Sequence, residues 1–191
     1  MKRYLLSVLI ALWIGLPAIK AQTIPNASFE SWSMDTLSGM TGPVIFTHPT
    51  DWYPLTSVFS ALFGGSINLY QSNAHYGSGN SSMMIETGVD SVGADAVSFF
   101  PVSSLPAKLK GYARYEGSPS DFATVSVAFF KYDAVNDTNL LIAQGFGNVT
   151  NHSSSFALFE VPIIPVTAGT PDSGLILIEY LFDNPGSRFF V

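Results

Sequence analysis

The feature that most constrains this chain is a strict alternation of side chains. In "AKLKGYARYE", residues 107–116, Ala107, Leu109, Gly111, Ala113 and Tyr115 fall on one face. Lys108, Lys110, Tyr112, Arg114 and Glu116 fall on the other. A period of two belongs to an extended strand, whereas a helix repeats every 3.6 residues, so the segment is predicted as a half-buried strand. After the turn signal "GSPSD" comes "FATVSVAFFKYD", with Val125, Val127 and Phe129 on one face. "NLLIAQGF", "SFALFEVPI" and "GLILIEYLF" continue the series between clusters of Asn, Asp, Gly, Ser and Pro. Upstream, "INLYQ", "SMMIET" and "DAVSFF" are shorter strand candidates, and "SVFSALFGG" reads as an apolar loop. Strands at this spacing predict an all-β chain, an antiparallel β-sandwich or jelly roll. There is no internal repeat and no inter-domain linker.

The first residues have a different logic. Lys2 and Arg3 precede an apolar run that Pro17 breaks, and Ile19-Lys20-Ala21 offers a cleavage site after Ala21. The run is too short to cross about 30 Å of hydrocarbon, so residues 1–21 read as a signal peptide. A secreted or outer-surface protein is expected, with residues 22–191 as one domain large enough for a sizeable core. No later apolar run reaches membrane-spanning length, so membrane insertion of the mature chain is not expected. Formal charge is −6, and the leader holds three of the eight basic residues, so the remainder is more acidic still. Such a chain does not attract nucleic acid or an anionic membrane in bulk. With no cysteine, disulfides, thiolate nucleophiles and thiolate zinc sites are excluded. "GSRFFV" enters a strand and ends within it, so the natural protein is expected to extend past Val191. The last strand is then cut short and the domain is C-terminally incomplete.

Motifs for catalysis are missing: no nucleophile elbow, phosphate loop, zinc-protease helix or dinucleotide fingerprint occurs. His48, His75 and His152 share no metal-ligand spacing. Paired carboxylates hydrolyse glycosides when held about 5–10 Å apart, but nothing selects a pair from Glu86, Asp90, Asp95 and Glu116. The basic residues say more. Lys108, Lys110 and Arg114 share one strand face with Tyr112. A tyrosine ring stacks on the apolar face of a sugar while the cations donate to its hydroxyls or carboxylates. The competing reading is a solvated face whose cations pair with neighbouring acids and discourage edge aggregation. Phe29 reads as core. Trp32 and Trp52 read as core or loop anchors first, and as ligand platforms second.

Three stretches, "NASFESW", "HPTDWYPL" and "HYGSGNSSMMIET", resemble the start of galactose-binding-like carbohydrate-binding modules, with Asn-x-x-Phe-Glu, Pro-x-x-Trp and a glycine turn into a strand. Downstream, "LPAKLKGYARYEG", "FFKYD", "LIAQGFGN", "FALFEVPI" and "PDSGLILI" are similar to the putative carbohydrate metabolism domain family. Its members are secreted β-sandwiches of Gram-negative bacteria, many with a type IX secretion tail, and they run on past the last strand. The resemblance implies a galactose-binding-like jelly roll and a non-catalytic module of a larger exported or cell-surface protein. It also implies a structural calcium with Glu30 as ligand, partnered by an Asp beyond Val191. Carbohydrate is the expected partner, at Tyr112, Lys110 and Arg114 beside loops carrying Trp52, Tyr53 and Tyr76, with the cations favouring an acidic glycan. Two other readings stand: a structural or adhesive surface domain without a small ligand, and a carbohydrate-active enzyme domain.

Overall fold

Alternation along the chain becomes two five-stranded antiparallel sheets packed face to face. The computed structural model describes residues 23–87, 94–150, 152–181 and 186–191; the leader and Asp90 lie outside them. A hairpin of β1 (Trp32–Gly39) and β2 (Gly42–Pro49) leads into α1 (Leu55–Leu62). Then come β3 (Leu69–Ser72), β4 (Ser82–Glu86), β5 (Ala94–Pro101), β6 (Lys108–Glu116) and β7 (Phe122–Asp133). The chain closes with β8 (Thr138–Val149), β9 (Ala157–Pro162), β10 (Ile164–Pro165), β11 (Ser173–Leu181) and β12 (Arg188–Phe190). One sheet runs β10-β8-β7-β11-β5 and the other β3-β4-β12-β6-β9. This is the expected antiparallel sandwich of jelly-roll type.

The inward faces make the core. Val125, Val127 and Phe129 of β7 with Ile176, Ile178 and Tyr180 of β11 meet Met83, Ile85, Ala113, Tyr115 and Phe189 of the other sheet. At its centre Phe189, with none of its surface exposed, lies 4.9 Å from the Tyr115 ring and 5.7 Å from that of Tyr180. A buried hydroxyl needs partners. That of Tyr115 donates to the Val149 carbonyl and accepts the Ala123 N–H, and burial pushes its pKa well up.

Two elements depart from the sequence reading. Residues 57–65, read as an apolar loop, lie mostly in α1. Pro54 at its N-cap makes no side-chain cap, and the Asp95 carboxylate of β5 accepts the Thr56 N–H at 2.8 Å in its stead. Ser57 and Ala61, one helical repeat apart, are the buried residues of this helix, and Phe59 is exposed. The β1–β2 hairpin has no counterpart among the strands that the sequence predicts. β2 buries Phe46 and His48 and leaves Ile45 and Thr47 exposed, but apolar Ile45 and Met34 on the outer face hide that alternation in the sequence.

Candidate ligand-binding face

The opening stretch "NASFESW" turns out to be a clasp. Asn26 and Phe29 adopt left-handed backbone conformations, with φ of 43° and 54°. Asn26 tolerates this better than most residues, because its short amide bonds locally. Its side-chain N–H₂ donates to the carbonyls of Ser31 (2.7 Å) and Thr50 (3.1 Å), and its oxygen accepts the Ser31 N–H. Trp32 donates its indole N–H to the Phe29 carbonyl, and Trp52 donates to that of Pro25. Glu30 reaches across to the loop before β4, where its Oε1 accepts the N–H groups of Asn80 (2.7 Å) and Ser81 (3.2 Å). The Asn80 N–H foremost, then that of Ser81, holds the Glu30 carboxyl below its usual range. A side chain at Gly79 would put its Cβ 2.7 Å from that Oε1, so only glycine lets the carboxylate in.

Trp52 therefore belongs to the core. It is 3% exposed and packs 5.3 Å from Phe29, in keeping with the core or loop-anchor reading, and both rings line the cavity described below. Tyr53 is exposed, but it bridges Val97 of β5 in the other sheet, beside His48. It does not join the Tyr112 face.

That face is the outer side of β6 and its neighbours. Tyr112, 37% exposed, carries the ring of Tyr76, 51% exposed, stacked flat upon it with centroids 3.6 Å apart and planes 11° from parallel. Phe156 stands 6.5 Å from Tyr76, and Leu158 of β9, also exposed, lies opposite Tyr112 in the ladder. Alternation thus puts Tyr112, Lys110 and Arg114 where it was expected to, and the loop after β3 brings Tyr76 to them. Each cation has a carboxylate. Lys108 and Lys110 reach Glu160 at 2.7 and 2.9 Å, and both hold the Glu160 carboxyl below its usual range. Arg114 reaches Glu116 at 2.7 Å, donates to the Ser154 carbonyl, and lies 4.2 Å over the Phe190 ring.

Beneath the Tyr76–Tyr112 pair the sandwich opens into a cavity of about 510 Å³. Tyr76, Tyr112 and Ser81 form its rim, and Phe29, Val125 and Ile178 are among the apolar residues deeper in. No sequence signal pointed to it, because it arises from strand order.

Of the four carboxylates considered for catalysis, the three among the described residues have partners. Glu86 and Glu116 share Arg188, at 3.0 and 4.0 Å, and Asp95 caps α1 against the other sheet. Among the described residues no three His, Asp or Glu side chains gather where a metal ion could be held. Glu30 supplies a single carboxylate, whose Oε1 already takes two N–H groups.

Neither protein-family models nor curated proteins match the chain. Solved structures do. A "putative glycoside hydrolase" from Bacteroides vulgatus superposes with a TM-score of 0.59 at 12% identity, over 85% of this chain and 93% of that one. Another, from Bacteroides thetaiotaomicron, gives 0.56 at 10% identity, over 90% of this chain and 69% of that one. A family 28 carbohydrate-binding module specific for non-crystalline cellulose matches more loosely, with a TM-score of 0.44 at 11% identity over 92% and 96% of the two chains. At identities this low the two matches with TM-scores above 0.5 show a shared fold alone, the antiparallel β-sandwich.

Proposed function

We propose that the outer face of β6 binds carbohydrate, and that the chain is a non-catalytic glycan-binding or accessory module of a larger secreted or cell-surface protein. The observation that carries this is the surface-exposed Tyr76–Tyr112 stack. With Leu158 beside them the two rings form a contiguous exposed apolar patch, and such patches mark binding surfaces. An aromatic plane bordered by hydrogen-bonding groups suits a sugar ring, which is apolar on its face and polar at its edge. Here Lys110 and Glu160 supply a donor and an acceptor beside the rings. Two solved structures of like fold are each described as a "putative glycoside hydrolase", which agrees with carbohydrate as the ligand class.

An acidic sugar was the expectation from sequence. Because Lys108, Lys110 and Arg114 all have carboxylate partners, we infer instead a neutral glycan. A glycan array tests both points: selective capture of neutral oligosaccharides is expected, and a blank array with binding to a host protein favours an adhesive domain. Calcium at Glu30, the type IX route and secretion itself belong to the proposal as well. For calcium, one oxygen of Glu30 and nearby backbone carbonyls would be the ligands, and the ion would tie the clasp to its neighbours. A higher melting temperature in Ca²⁺ than in chelator is its check.

A further inference from the structure

The outer side of the other sheet, β10-β8-β7-β11-β5, has a chemistry of its own. Residues directly opposite in a ladder share a face, so pairing sorts this side into rows. One row runs Tyr53, Val97, Leu177, Ser126, Phe146, from the segment bridged to β5 across to β8. The next runs Phe99, Leu175, Ala128, Gln144, Ile164, from β5 to β10. Both point outward, because Ala96, Ile176, Val127 and Ala143, which alternate with them, lie in the core. Phe99 and Phe146 are each 62% exposed, and Ile164 is 61% exposed. Although the chain carries a formal charge of −6, neither row holds a charged side chain. Apart from the Tyr53 hydroxyl, Ser126 and Gln144 are their only polar groups. A sugar needs hydrogen-bonding groups around its ring, whereas an uncharged strip rich in aromatic and aliphatic side chains suits a protein surface.

The register says which protein surface fits. The face is six columns wide, and its middle lies between β7 and β11. A two-fold axis running there along the strands, with the sheets aligned, sets each row against the same row of a second copy. Leu177 then lies over Ser126 of the second copy and Leu175 over Ala128, large over small. Phe146 comes over Val97, and Phe99 over Gln144. In the neighbouring row of Asp95, Glu179, Thr124 and Asn148, Glu179 comes over Thr124 and Asp95 over Asn148. No acid meets an acid, so an acidic chain associates with itself here without like-charge repulsion. Five inter-strand spacings make the face about 24 Å wide, and along the strands it runs about 20 Å. That footprint of roughly 500 Å² is more than half of the about 800 Å² per partner of a standard interface, which gives a reversible dimer rather than an obligate one.

We propose that this face is a dimer interface between two copies of the chain. The sheets that bear Tyr76 and Tyr112 become the outer layers of a four-layer stack. Their aromatic faces point away from one another, so on the carbohydrate reading the dimer is bivalent.

Sedimentation equilibrium of the full chain over a range of concentrations tests this, and a monomer–dimer equilibrium is expected. Phe146→Asp and Phe99→Asp each place a carboxylate in two symmetry-related contacts, and each should raise the dissociation constant about tenfold or more. Both side chains are exposed in the single chain, so both variants should melt close to the parent. Val135→Asp, at a 92% exposed position in the turn between β7 and β8, should leave the equilibrium unchanged. Monomer alone up to about 1 mM overturns the proposal, as does a dimer that both phenylalanine variants leave intact. A monomeric parent whose oligosaccharide binding is lost in Phe146→Asp would make this a sugar face and overturn it too. Sedimentation is read without sugar, so the dimer and the sugar site on β6 fail separately.

Discussion

Tyr76 lies flat on Tyr112, 3.6 Å between ring centroids, although thirty-five residues separate them and only Tyr112 sits in a strand. The stack joins the loop after β3 to β6 on the outer surface, so its energetic weight should be small. Aromatic pairs contribute about 0.5–1.5 kcal/mol beyond their burial. Tyr112→Ala is expected to lower the melting temperature by only a few degrees in a thermal scan. Collapse of the fold in that variant would make Tyr112 a packing residue instead.

Phe189 is the opposite case. Its ring is wholly buried between Tyr115 and Tyr180, close to the chain end. Phe189→Ala should cost about 3–5 kcal/mol in denaturant unfolding, as large-to-small core changes do. A loss below about 1 kcal/mol would show that β12 adds little to the sheet.

Asp95 separates charge from capping. Burial, ahead of any other influence, raises its carboxyl above the ordinary range. A raised carboxyl binds its proton more tightly in the folded state, so its own contribution to stability is greatest at low pH and falls as pH rises through the shifted range. Asp95→Asn keeps an acceptor for the Thr56 N–H without the buried charge, and should melt at or above the parent at neutral pH. Asp95→Ala removes the cap and should lose about 1–2 kcal/mol. If both variants lose stability equally, the charge itself is what α1 needs.

How much of this was legible follows from which face each strand buries. β6 and β7 each bury one side, so their alternation was plain, and β7 has the bounds read from its sequence. The β1–β2 hairpin leaves Met34 and Ile45 in water, and these outer apolar residues hide its alternation. α1 takes its cap from Asp95, thirty-nine residues away, which no local motif reveals. At the site, Tyr112, Lys110 and Arg114 came together because they share one strand. Trp52, read as a core or loop anchor before a platform, is buried against Phe29, because an indole in a Pro-x-x-Trp turn serves an anchor as well as it serves a sugar.

Glu30 yields a pH prediction. Its carboxyl is held low by the Asn80 N–H, so its contribution is present above the unfolded carboxylate range and is lost as pH falls through the folded value. Glu30→Gln should melt below the parent at neutral pH, and the two curves should converge in acid. A gap that persists in acid would assign the effect to packing against Gly79 rather than to charge.

The measurement that bears most directly on carbohydrate binding is a calorimetric titration of a neutral oligosaccharide, chosen from the array, into the parent chain and into Tyr76→Ala and Tyr112→Ala. Stacking on an exposed ring should be worth at least about 1.4 kcal/mol, a tenfold change in Kd, so each variant should weaken binding tenfold or more. Each should do so while melting within a few degrees of the parent. Undiminished affinity in both well-folded variants would contradict the assignment of the sugar site to the outer face of β6.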